Sequence, residues 1–347
     1  MSAAYPIIIS DEPVETIQSF LSDSNYNKIL VLVDNKTLKH CYPLIGNGIP
    51  PHETVTIPSG EPFKSLETCT TIWSHMTSGR LDRKSLLINL GGGVIGDMGG
   101  FCAATYKRGI DFINLPTTLL SQVDASVGGK LGIDFQGFKN HIGLFQNPRQ
   151  VVIHPGFLET LPQNELRSGY AEVIKHCLIA DAAYWDQLIQ VDWEQQPWPA
   201  IIKHSIEVKT TITKEDPQEK GLRKILNFGH TIGHAVESYF LESRHPILHG
   251  EAVALGMITE SYLSSKRSGL SKEQQNLIVD YISNIYNKVE LDEESIERIS
   301  ELITQDKKNK DNQIKASLLE QMGKAVYDIT ITTAEVKEAL HFYQSLS

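Results

Sequence analysis

The sequence predicts an α/β fold in which the first half of the chain forms a parallel sheet and the second half forms helices. Up to about residue 157, short apolar runs rich in β-branched residues alternate with helical patterns, as in βαβ units. From residue 158 onward, apolar residues recur at helical spacing, with few β-branched runs between them. A chain of 347 residues can form two hydrophobic cores. We therefore predict an N-terminal domain of residues 1–157 and an all-helical domain of residues 158–347.

Each predicted element rests on the spacing of its apolar residues. Apolar, β-branched runs indicate strands at 28–34, 85–90, 112–115 and 151–153. Helical patterns between them cover 65–77 and 97–106. In the second half, helical spacing covers 163–179, 200–214, 224–240, 249–266, 272–287 and 293–304. A cleft between two such domains is the default position for a ligand site.

The composition excludes several classes of protein. A formal net charge of -10 argues against nucleic acid and anionic membranes as partners, so a local cluster of Lys and Arg indicates a small anionic ligand. The N-terminus lacks the apolar core of a signal peptide, and no apolar run reaches the roughly 18 residues of a membrane helix. We therefore expect a cytoplasmic protein. The four cysteines are scattered, and we expect them to be reduced and buried.

A glycine-rich run, GGGVIGDMGG, occupies residues 91–100, between a predicted strand and a predicted helix. Backbone N–H groups at such a helix start can bind a pyrophosphate. A turn of this kind also occurs as a simple tight connection. Asp97 favours nucleotide binding, because a carboxylate in the turn can bind a ribose or a nicotinamide group.

Histidine spacing indicates a metal site. His230 and His234 in HTIGH lie four residues apart and therefore on one face of a helix. His249 is a possible third nitrogen ligand, and Glu172 can complete a set of two imidazoles and one carboxylate. Buried histidines that are satisfied by hydrogen bonds are the alternative.

Segment 121–143 combines polar side chains with five glycines. Asp124, Lys130, Lys139 and Asn140 are spread along it, and this composition is typical of anion-binding loops rather than of a core. A solvated loop without a ligand is the alternative.

Together these motifs resemble the 3-dehydroquinate synthase family, from about residue 28 to residue 325. The resemblance is carried by SGEPFKS (59–65), GGGVIGD (91–97), LPTTLLSQVDASVGGK (115–130), FKNHIG (138–143), GYAEVIKH (169–176), GLRKILNFGHTIGHAVE (221–237) and HGEAVALGM (249–257). It implies a Rossmann-like NAD domain, a helical domain that binds metal and substrate, an active site in the cleft between them, and a homodimer.

The same resemblance implies roles for individual residues. The metal ligands, for zinc or cobalt, would be Glu172, His230 and His249. NAD would be bound by Asp34, Glu61, Lys64, Gly92, Gly93, Asp97, Thr117, Thr118, Lys130, Lys139, Phe157, Thr160 and Leu161. The substrate carboxylate would bind Lys209 and Arg223. The substrate phosphate would be surrounded by Lys130, Asn140, Asn227, His234, Lys315 and, from a second subunit, Arg108. The substrate hydroxyls would be oriented by Asp124 and Lys175.

The family converts 3-deoxy-D-arabino-heptulosonate 7-phosphate to 3-dehydroquinate and phosphate in the shikimate pathway of aromatic amino acid biosynthesis. The resemblance implies a transient oxidation by NAD, β-elimination of phosphate, re-reduction and an intramolecular aldol closure. Three departures from the family pattern are Phe138 in place of a common Gly, the loose acidic stretch 215–223, and the degenerate surroundings of Lys315. Other sugar phosphate cyclases, a metal-dependent polyol dehydrogenase and an inactive NAD-binding protein are the alternatives.

Overall fold

The computed structural model describes residues 5–136, 138–241, 246–305 and 313–346. Its chain divides into two compact units. The first runs to Pro162 and also contains Trp198–Lys214, and the second consists of Gln163–Pro197 and the residues from Glu215 onward. The first unit therefore includes a helical segment that the sequence interpretation places in the second domain.

The strands and helices are numbered along the chain. The strands are β1 (Ile7–Ile9), β2 (Lys28–Asp34), β3 (Glu53–Ile57), β4 (Ser85–Gly91), β5 (Asp111–Pro116), β6 (Lys130–Phe135), β7 (Phe138–Phe145), β8 (Gln150–Ile153), β9 (Ile314–Gln321) and β10 (Lys324–Ile331). The helices are α1 (Pro13–Ser22), α2 (Asn35–His40), α3 (Leu66–Ser78), α4 (Gly93–Thr105), α5 (Gln163–Ala180), α6 (Ala182–Leu188), α7 (Trp198–Glu215), α8 (His230–Leu241), α9 (His249–Arg267), α10 (Lys272–Ile285), α11 (Glu293–Gln305) and α12 (Thr333–Ser345).

A six-stranded sheet forms the centre of the first unit. Its strand order is β1–β8–β5–β4–β2–β3, and all neighbouring strands run parallel. β4 lies inside the sheet and all of its residues are buried, as its continuous apolar run predicts for an internal parallel strand. The prediction of a parallel sheet is confirmed, and its predicted strands correspond to β2, β4, β5 and β8.

The two faces of the sheet bury alternate residues of the same strands. Leu30 and Leu32 of β2 enter a hydrophobic cluster with residues of α3 and α4. Val31 and Val33 enter a second cluster that includes Ile17 of α1. Successive strand residues point to opposite faces, so one apolar run supplies both layers of the core.

Segment 121–143, which the sequence interpretation treats as loop, contains ordered elements. Ser121–Ala125 form a short π-helical turn, and β6 pairs with β7 as an antiparallel hairpin. Leu131 and Ile133 of β6 are buried in the cluster that also contains residues of α4. Their alternation with polar or small residues is the strand signal, and the surrounding glycines obscure it in the sequence.

The second unit is helical, as predicted, and it also contains the antiparallel hairpin of β9 and β10, which the all-helical prediction omits. Two glycines of α9 allow its backbone to approach its neighbours closely. A Cβ on Gly250 would lie 2.0 Å from the carbonyl oxygen of Ser168 in α5, and one on Gly256 would lie 1.9 Å from that of Gly229. This packing brings the starts of α8 and α9 close to α5.

Two further expectations concern the cysteines and membrane spans. Cys41, Cys69, Cys102 and Cys177 are all free and buried, which confirms the prediction. Across the described ranges, no helix combines the length and the apolar character that a membrane crossing requires.

Two glycines of α4 form a matched pair for a stability test. We expect Gly99→Ala to lower the thermal midpoint of unfolding, because the new Cβ would lie 2.0 Å from Oδ1 of Asn89 and overpacking costs about 1–3 kcal/mol. In Gly96→Ala the new Cβ meets no heavy atom within 4 Å beyond the local backbone. That variant should keep the midpoint or raise it, because replacing a helical glycine by alanine contributes roughly 0.5–1 kcal/mol. Thermal unfolding monitored by circular dichroism measures both, and equal midpoints would contradict the predicted crowding at Gly99.

Candidate functional site

Three side chains of the second unit, each on a different helix, form a group suited to a metal ion. Glu172 lies within α5, while His230 and His249 are the first residues of α8 and α9. Oε1 of Glu172 is 3.3 Å from Nε2 of His230 and 3.4 Å from Nε2 of His249. The three ligand atoms lie within 4.8 Å of one another. The structure therefore brings together the three residues predicted as ligands.

Both histidines use their other ring nitrogen to contact an acceptor. Nδ1 of His249 lies 3.3 Å from Oε2 of Glu237, and Nδ1 of His230 lies 3.1 Å from the backbone oxygen of Phe228. A neutral imidazole that donates from Nδ1 presents the lone pair of Nε2 to a metal, and such outer acceptors are typical of ligating histidines. Two imidazoles and one carboxylate are a common set for a catalytic divalent metal. The residues present therefore fit a divalent ion.

The charges around this group favour a cation. Burial opposes the ionised form of Glu172, but Lys175 and His230 outweigh it and hold the pKa of Glu172 well below its usual range. Burial also opposes a charged His249, yet its hydrogen bonds to Glu172 and Glu237 raise the pKa of His249 to about 10. Burial and the charge of Lys175 lower the pKa of His230. A positive charge is therefore favoured between the carboxylates of Glu172 and Glu237. A divalent ion can supply this charge while the imidazoles of His230 and His249 stay neutral.

His234 lies one helical turn after His230 and belongs to the same cluster of rings. Its ring centroid is 5.0 Å from that of His230 and 6.1 Å from that of His249. With Glu237 and His249 it forms a second group of close ligand atoms. We take the group of Glu172 as the candidate metal site, because Glu237 already serves as the acceptor for Nδ1 of His249. The predicted contact of His234 with a phosphate stays a prediction.

In the first unit, the glycine-rich run forms the start of α4. Gly92 precedes the helix and Gly93 is its first residue, so backbone N–H groups without intrahelical acceptors are available there. A small cavity at this point is lined by Asn89, Gly91, Gly92, Gly93, Gly96, Asp97, Asn114, Pro116, Ser121, Ala125 and Ser126. It lies at the carboxyl ends of β4 and β5, where parallel sheets bind their ligands. The N–H groups at the helix start suit an anion such as the pyrophosphate of a dinucleotide.

A buried lysine connects this turn to the β6–β7 hairpin. Lys64 is 4% exposed, and its Nζ lies 2.7 Å from Oδ2 of Asp97 and 2.6 Å from Oδ1 of Asn140. Burial opposes its charge, but Asp97 and Glu61 outweigh that effect and raise the pKa of Lys64. Burial also raises the pKa of Asp97 despite the opposing charge of Lys64. The segment that carries Lys64 has a second contact with the hairpin, the ion pair between Glu61 and Lys139, whose charged atoms lie 3.5 Å apart.

Asp134 holds Asn140 in an unusual backbone conformation. Asn140 has a φ of 49°, a left-handed value that asparagine adopts more readily than most residues. Its backbone N–H donates to Oδ1 of Asp134 at 2.7 Å. The backbone N–H of Asp134 in turn donates to the backbone oxygen of Lys64 at 2.9 Å. The hairpin is thereby fixed to the residue that contacts both Asp97 and Asn140.

Asp124 and Lys209 also meet, although the resemblance gives them different roles. Lys209 lies on α7, in the segment that belongs to the first unit. Its Nζ is 2.6 Å from Oδ2 of Asp124 and 2.6 Å from its backbone oxygen. The aspartate therefore fixes the position of the ammonium group that is predicted to bind the substrate carboxylate.

Several other residues predicted to bind NAD have structural roles, as a helix cap, in the core or in a turn. Asp34 caps α2, since its Oδ1 accepts the backbone N–H groups of Lys36 and Thr37. Phe157 is 1% exposed and belongs to the core. Thr118 donates to the hydroxyl of Ser121 at 2.9 Å. Thr160 and Leu161 end the turn that follows β8. NAD contacts at these positions stay predictions.

Most of the residues predicted to bind the substrate contact other groups of the protein. Arg223 is 3% exposed, and its guanidinium donates to the backbone oxygen of Pro217. The side-chain amide of Asn227 donates to Oε1 of Glu219, and the ammonium group of Lys315 donates to Oγ1 of Thr330. Lys175 contacts Glu172. Two exposed positions are Lys130, at the start of β6, and Arg108, at the end of the turn after α4.

Sequence reasoning missed the acidic residues that support the site. Glu237 follows His234 by three residues and shares its helix face, so an acid at that spacing is a usable signal. Asp134 and Glu260 carry no such local signal. Glu260 lies eleven residues after His249 in α9, among residues that predict only a buried helix.

Comparisons with known proteins agree with this geometry. A family model described as 3-dehydroquinate synthase N-terminal matches residues 54–168, and one described as 3-dehydroquinate synthase C-terminal matches residues 169–309. The 3-dehydroquinate synthase of Parabacteroides distasonis is 41% identical over 344 residues, which cover 97% of each chain.

Two solved structures share the fold. The 2-epi-5-epi-valiolone synthase of Streptomyces hygroscopicus subsp. jinggangensis, with NAD+ and Zn2+ bound, has a TM-score of 0.86 at 23% identity and covers 99% of this chain and 97% of its own. A 2-deoxy-scyllo-inosose synthase in complex with carbaglucose-6-phosphate, NAD+ and Co2+ has a TM-score of 0.83 at 23% identity and covers 97% and 96%.

The fold is that of the 2-epi-5-epi-valiolone synthase and the 2-deoxy-scyllo-inosose synthase, which both align with almost the whole chain. Among proteins of this fold, the chain belongs to the 3-dehydroquinate synthase family. Both family models match adjacent segments that make up most of the sequence, and a relative of that name is similar along nearly its full length.

A double-mutant cycle tests the contact between Lys64 and Asp97. We expect Lys64→Met and Asp97→Asn each to lower the free energy of unfolding, because each leaves a largely buried partner without its counter-charge. The double variant should lose less free energy of unfolding than the two single variants together, with a coupling energy of about 0.5–3 kcal/mol. We expect a value near the lower end of this range because the Asp97 side chain is 22% exposed. Urea titrations of the four proteins measure this coupling.

The ion pair of Lys139 with Glu61 is the matched control, since both side chains are more exposed and lie 3.5 Å apart. The same cycle there should give a coupling of about 0–1 kcal/mol. A Lys64–Asp97 coupling no larger than this control would refute the importance of the buried pair.

Proposed function

We propose that this protein is a 3-dehydroquinate synthase that converts 3-deoxy-D-arabino-heptulosonate 7-phosphate to 3-dehydroquinate and phosphate. The observation that carries the proposal is the group of Glu172, His230 and His249, which gathers one carboxylate and two imidazoles from three helices. The outer acceptors of both histidines turn Nε2 toward Glu172. In a chain of this family, that arrangement supports a metal-dependent reaction.

The proposal includes two cofactors. Glu172, His230 and His249 hold a divalent ion, zinc or cobalt, and the start of α4 with Asp97 holds NAD. Solved structures of the same fold contain NAD+ with Zn2+ or Co2+. The ion would acidify the substrate hydroxyls that it contacts, and NAD would remove and later return one hydride.

The residues of this chain bind and orient an anionic sugar phosphate. Lys209, held by Asp124, takes the substrate carboxylate together with Arg223. Hydrogen-bond donors around the substrate phosphate position it for elimination. These donors are Lys130, Asn140, Asn227, His234 and Lys315, with Arg108 from a second subunit. Such donors stabilise the charge of the departing phosphate and hold its oxygens near the proton that is removed.

The reaction breaks a carbon–oxygen bond with loss of phosphate, so the proposed enzyme is a carbon–oxygen lyase. Elimination requires a ketone next to the C–H bond that is broken, and the reduction that follows returns the ketone to a hydroxyl. NAD is therefore regenerated in each cycle. The homodimer and the cytoplasmic location remain part of this proposal.

An assay of phosphate release tests the function. The purified protein is incubated with the heptulosonate phosphate, a catalytic amount of NAD and zinc, while phosphate and the absorbance of NADH are recorded. We expect phosphate to be released without net NADH, and we expect a chelator or His230→Ala to abolish the release because a metal ligand is lost. His341→Ala, which removes an exposed imidazole of the same unit, is the control and should keep full activity.

Two outcomes would contradict the proposal. Absence of phosphate release from the metal-loaded protein would exclude this substrate and direct the search to the substrates of other sugar phosphate cyclases. Net formation of NADH in step with substrate loss would instead identify a polyol dehydrogenase, because NAD would then be consumed.

A further inference from the structure

A completely buried carboxylate lies behind the candidate metal centre. Glu260 of α9 is 0% exposed. Its Oε2 accepts the backbone N–H of Gly229 at 2.7 Å, and its Oε1 accepts the backbone N–H of Ile232 at 2.9 Å. A buried carboxylate is stable only where its charge is compensated by hydrogen bonds or counter-charges, and these two N–H groups contribute to that compensation.

The two N–H groups belong to the start of α8. The first N–H groups of a helix have no acceptor within the helix, and a side chain just before the helix usually supplies one. The residue before α8 is Gly229, with a φ of 79°, and it has no side chain for this purpose. Glu260 instead accepts both the N–H of Gly229 and that of Ile232, the third residue of α8. In an ordinary capping box two different side chains make these two bonds.

The residue fixed between these two bonds is His230. It is the first residue of α8 and lies one position after Gly229 and two before Ile232. Because Glu260 and His249 lie on the same helix, α9 holds one predicted ligand directly and the other through the Glu260 carboxylate. The backbone N–H of Gly250 donates to Oγ of Ser168 at 2.9 Å and ties the start of α9 to α5, the helix that carries Glu172.

We propose that Glu260 is a positioning residue for the metal centre: a capping carboxylate supplied by α9 that fixes the start of α8 and thereby holds His230 toward Glu172 and His249. This inference rests on the proposed function, since it assumes that the three residues bind a metal ion. A role in folding alone is the alternative, and it predicts a loss of stability without a change in metal binding.

The test compares metal binding by the wild-type protein and Glu260→Gln. Glutamine keeps the size of the side chain but replaces one acceptor oxygen by an NH2 group, which faces a backbone N–H. We expect the affinity for Zn2+, measured by competition with a chromophoric chelator in the absence of NAD and substrate, to fall about 10–100-fold, as for other outer contacts of metal ligands. The visible absorption spectrum of the Co2+-loaded variant should also change, because it reports the arrangement of the ligands.

Ser264→Ala is the matched control. Ser264 lies on α9 one turn after Glu260, is 0% exposed, and its Oγ accepts the backbone N–H of Leu319 in β9 at 2.9 Å. Its loss removes this contact and the bond of its hydroxyl to the backbone oxygen of Glu260, but it leaves the Glu260 carboxylate and its two bonds at the start of α8 in place. This variant should lower the thermal midpoint while it keeps the Zn2+ affinity and the Co2+ spectrum of the wild type.

Glu260→Asp provides a second variant if the glutamine protein does not fold. It keeps the charge and both oxygens on a shorter side chain, so its Zn2+ affinity should fall by less than that of a folded Glu260→Gln and by more than that of Ser264→Ala. Wild-type affinity in the folded Glu260 variants, or an equal loss in Ser264→Ala, overturns the positioning role and leaves the proposed function intact. Failure of the wild-type protein itself to bind Zn2+ or Co2+ overturns the proposed metal centre and this inference with it.

Discussion

The candidate metal centre depends on the close backbone contact that α9 makes with α5 and with the residues before α8. Gly250 and Gly256 lie where any side chain would overlap a carbonyl oxygen of the neighbouring segment. Helices with side chains at their contact usually lie about 8–10 Å apart, and glycines at the contact allow a closer approach. The ligands His230 and His249 stand at the first residues of their helices, so small changes in helix packing move them directly. Glycine packing therefore determines whether three ligands from separate helices can meet.

Concentrating carboxylates in this region has an energetic cost. Glu172 and Glu260 are completely buried and Glu237 is nearly so, and a buried charge without partners destabilises a protein by several kcal/mol. Each carboxylate has its own contacts: Lys175 and the histidines for Glu172, His249 for Glu237, and the backbone N–H groups of Gly229 and Ile232 for Glu260. For Glu172, the opposing charges hold the pKa of the carboxyl well below its usual range despite its burial. The arrangement also links the ligands to acceptors on neighbouring elements, which limits their movement when a metal binds.

Sequence patterns predicted the parts of the structure that depend on local spacing. The internal strands followed from apolar runs, and the metal group followed from the spacing of histidines together with family motifs. The β6–β7 hairpin was missed because the glycines around it obscure the alternation of its apolar residues, such as Leu131 and Ile133, with polar ones. The assignment of Trp198–Lys214 to the first unit depends on long-range contacts that an amphipathic pattern does not specify. Glu260 was missed for a related reason: its partners are backbone N–H groups of another helix, and no side-chain motif records them.

In the first unit, Lys64 imposes a comparable constraint through a single ammonium group. The side-chain oxygen Oδ1 of Asn140 accepts a hydrogen bond from Lys64. The other end of the amide, Nδ2, carries only hydrogens and can therefore only donate. The bond from its backbone N–H to Asp134 fixes the residue in the left-handed region, so the direction of that amide is set from two sides. A donor held in this way suits the binding of an anion such as phosphate, because little conformational freedom remains to be lost. Lys64 also contacts Asp97 of the glycine-rich turn, and the two positions predicted for different ligands are therefore oriented by one buried cation.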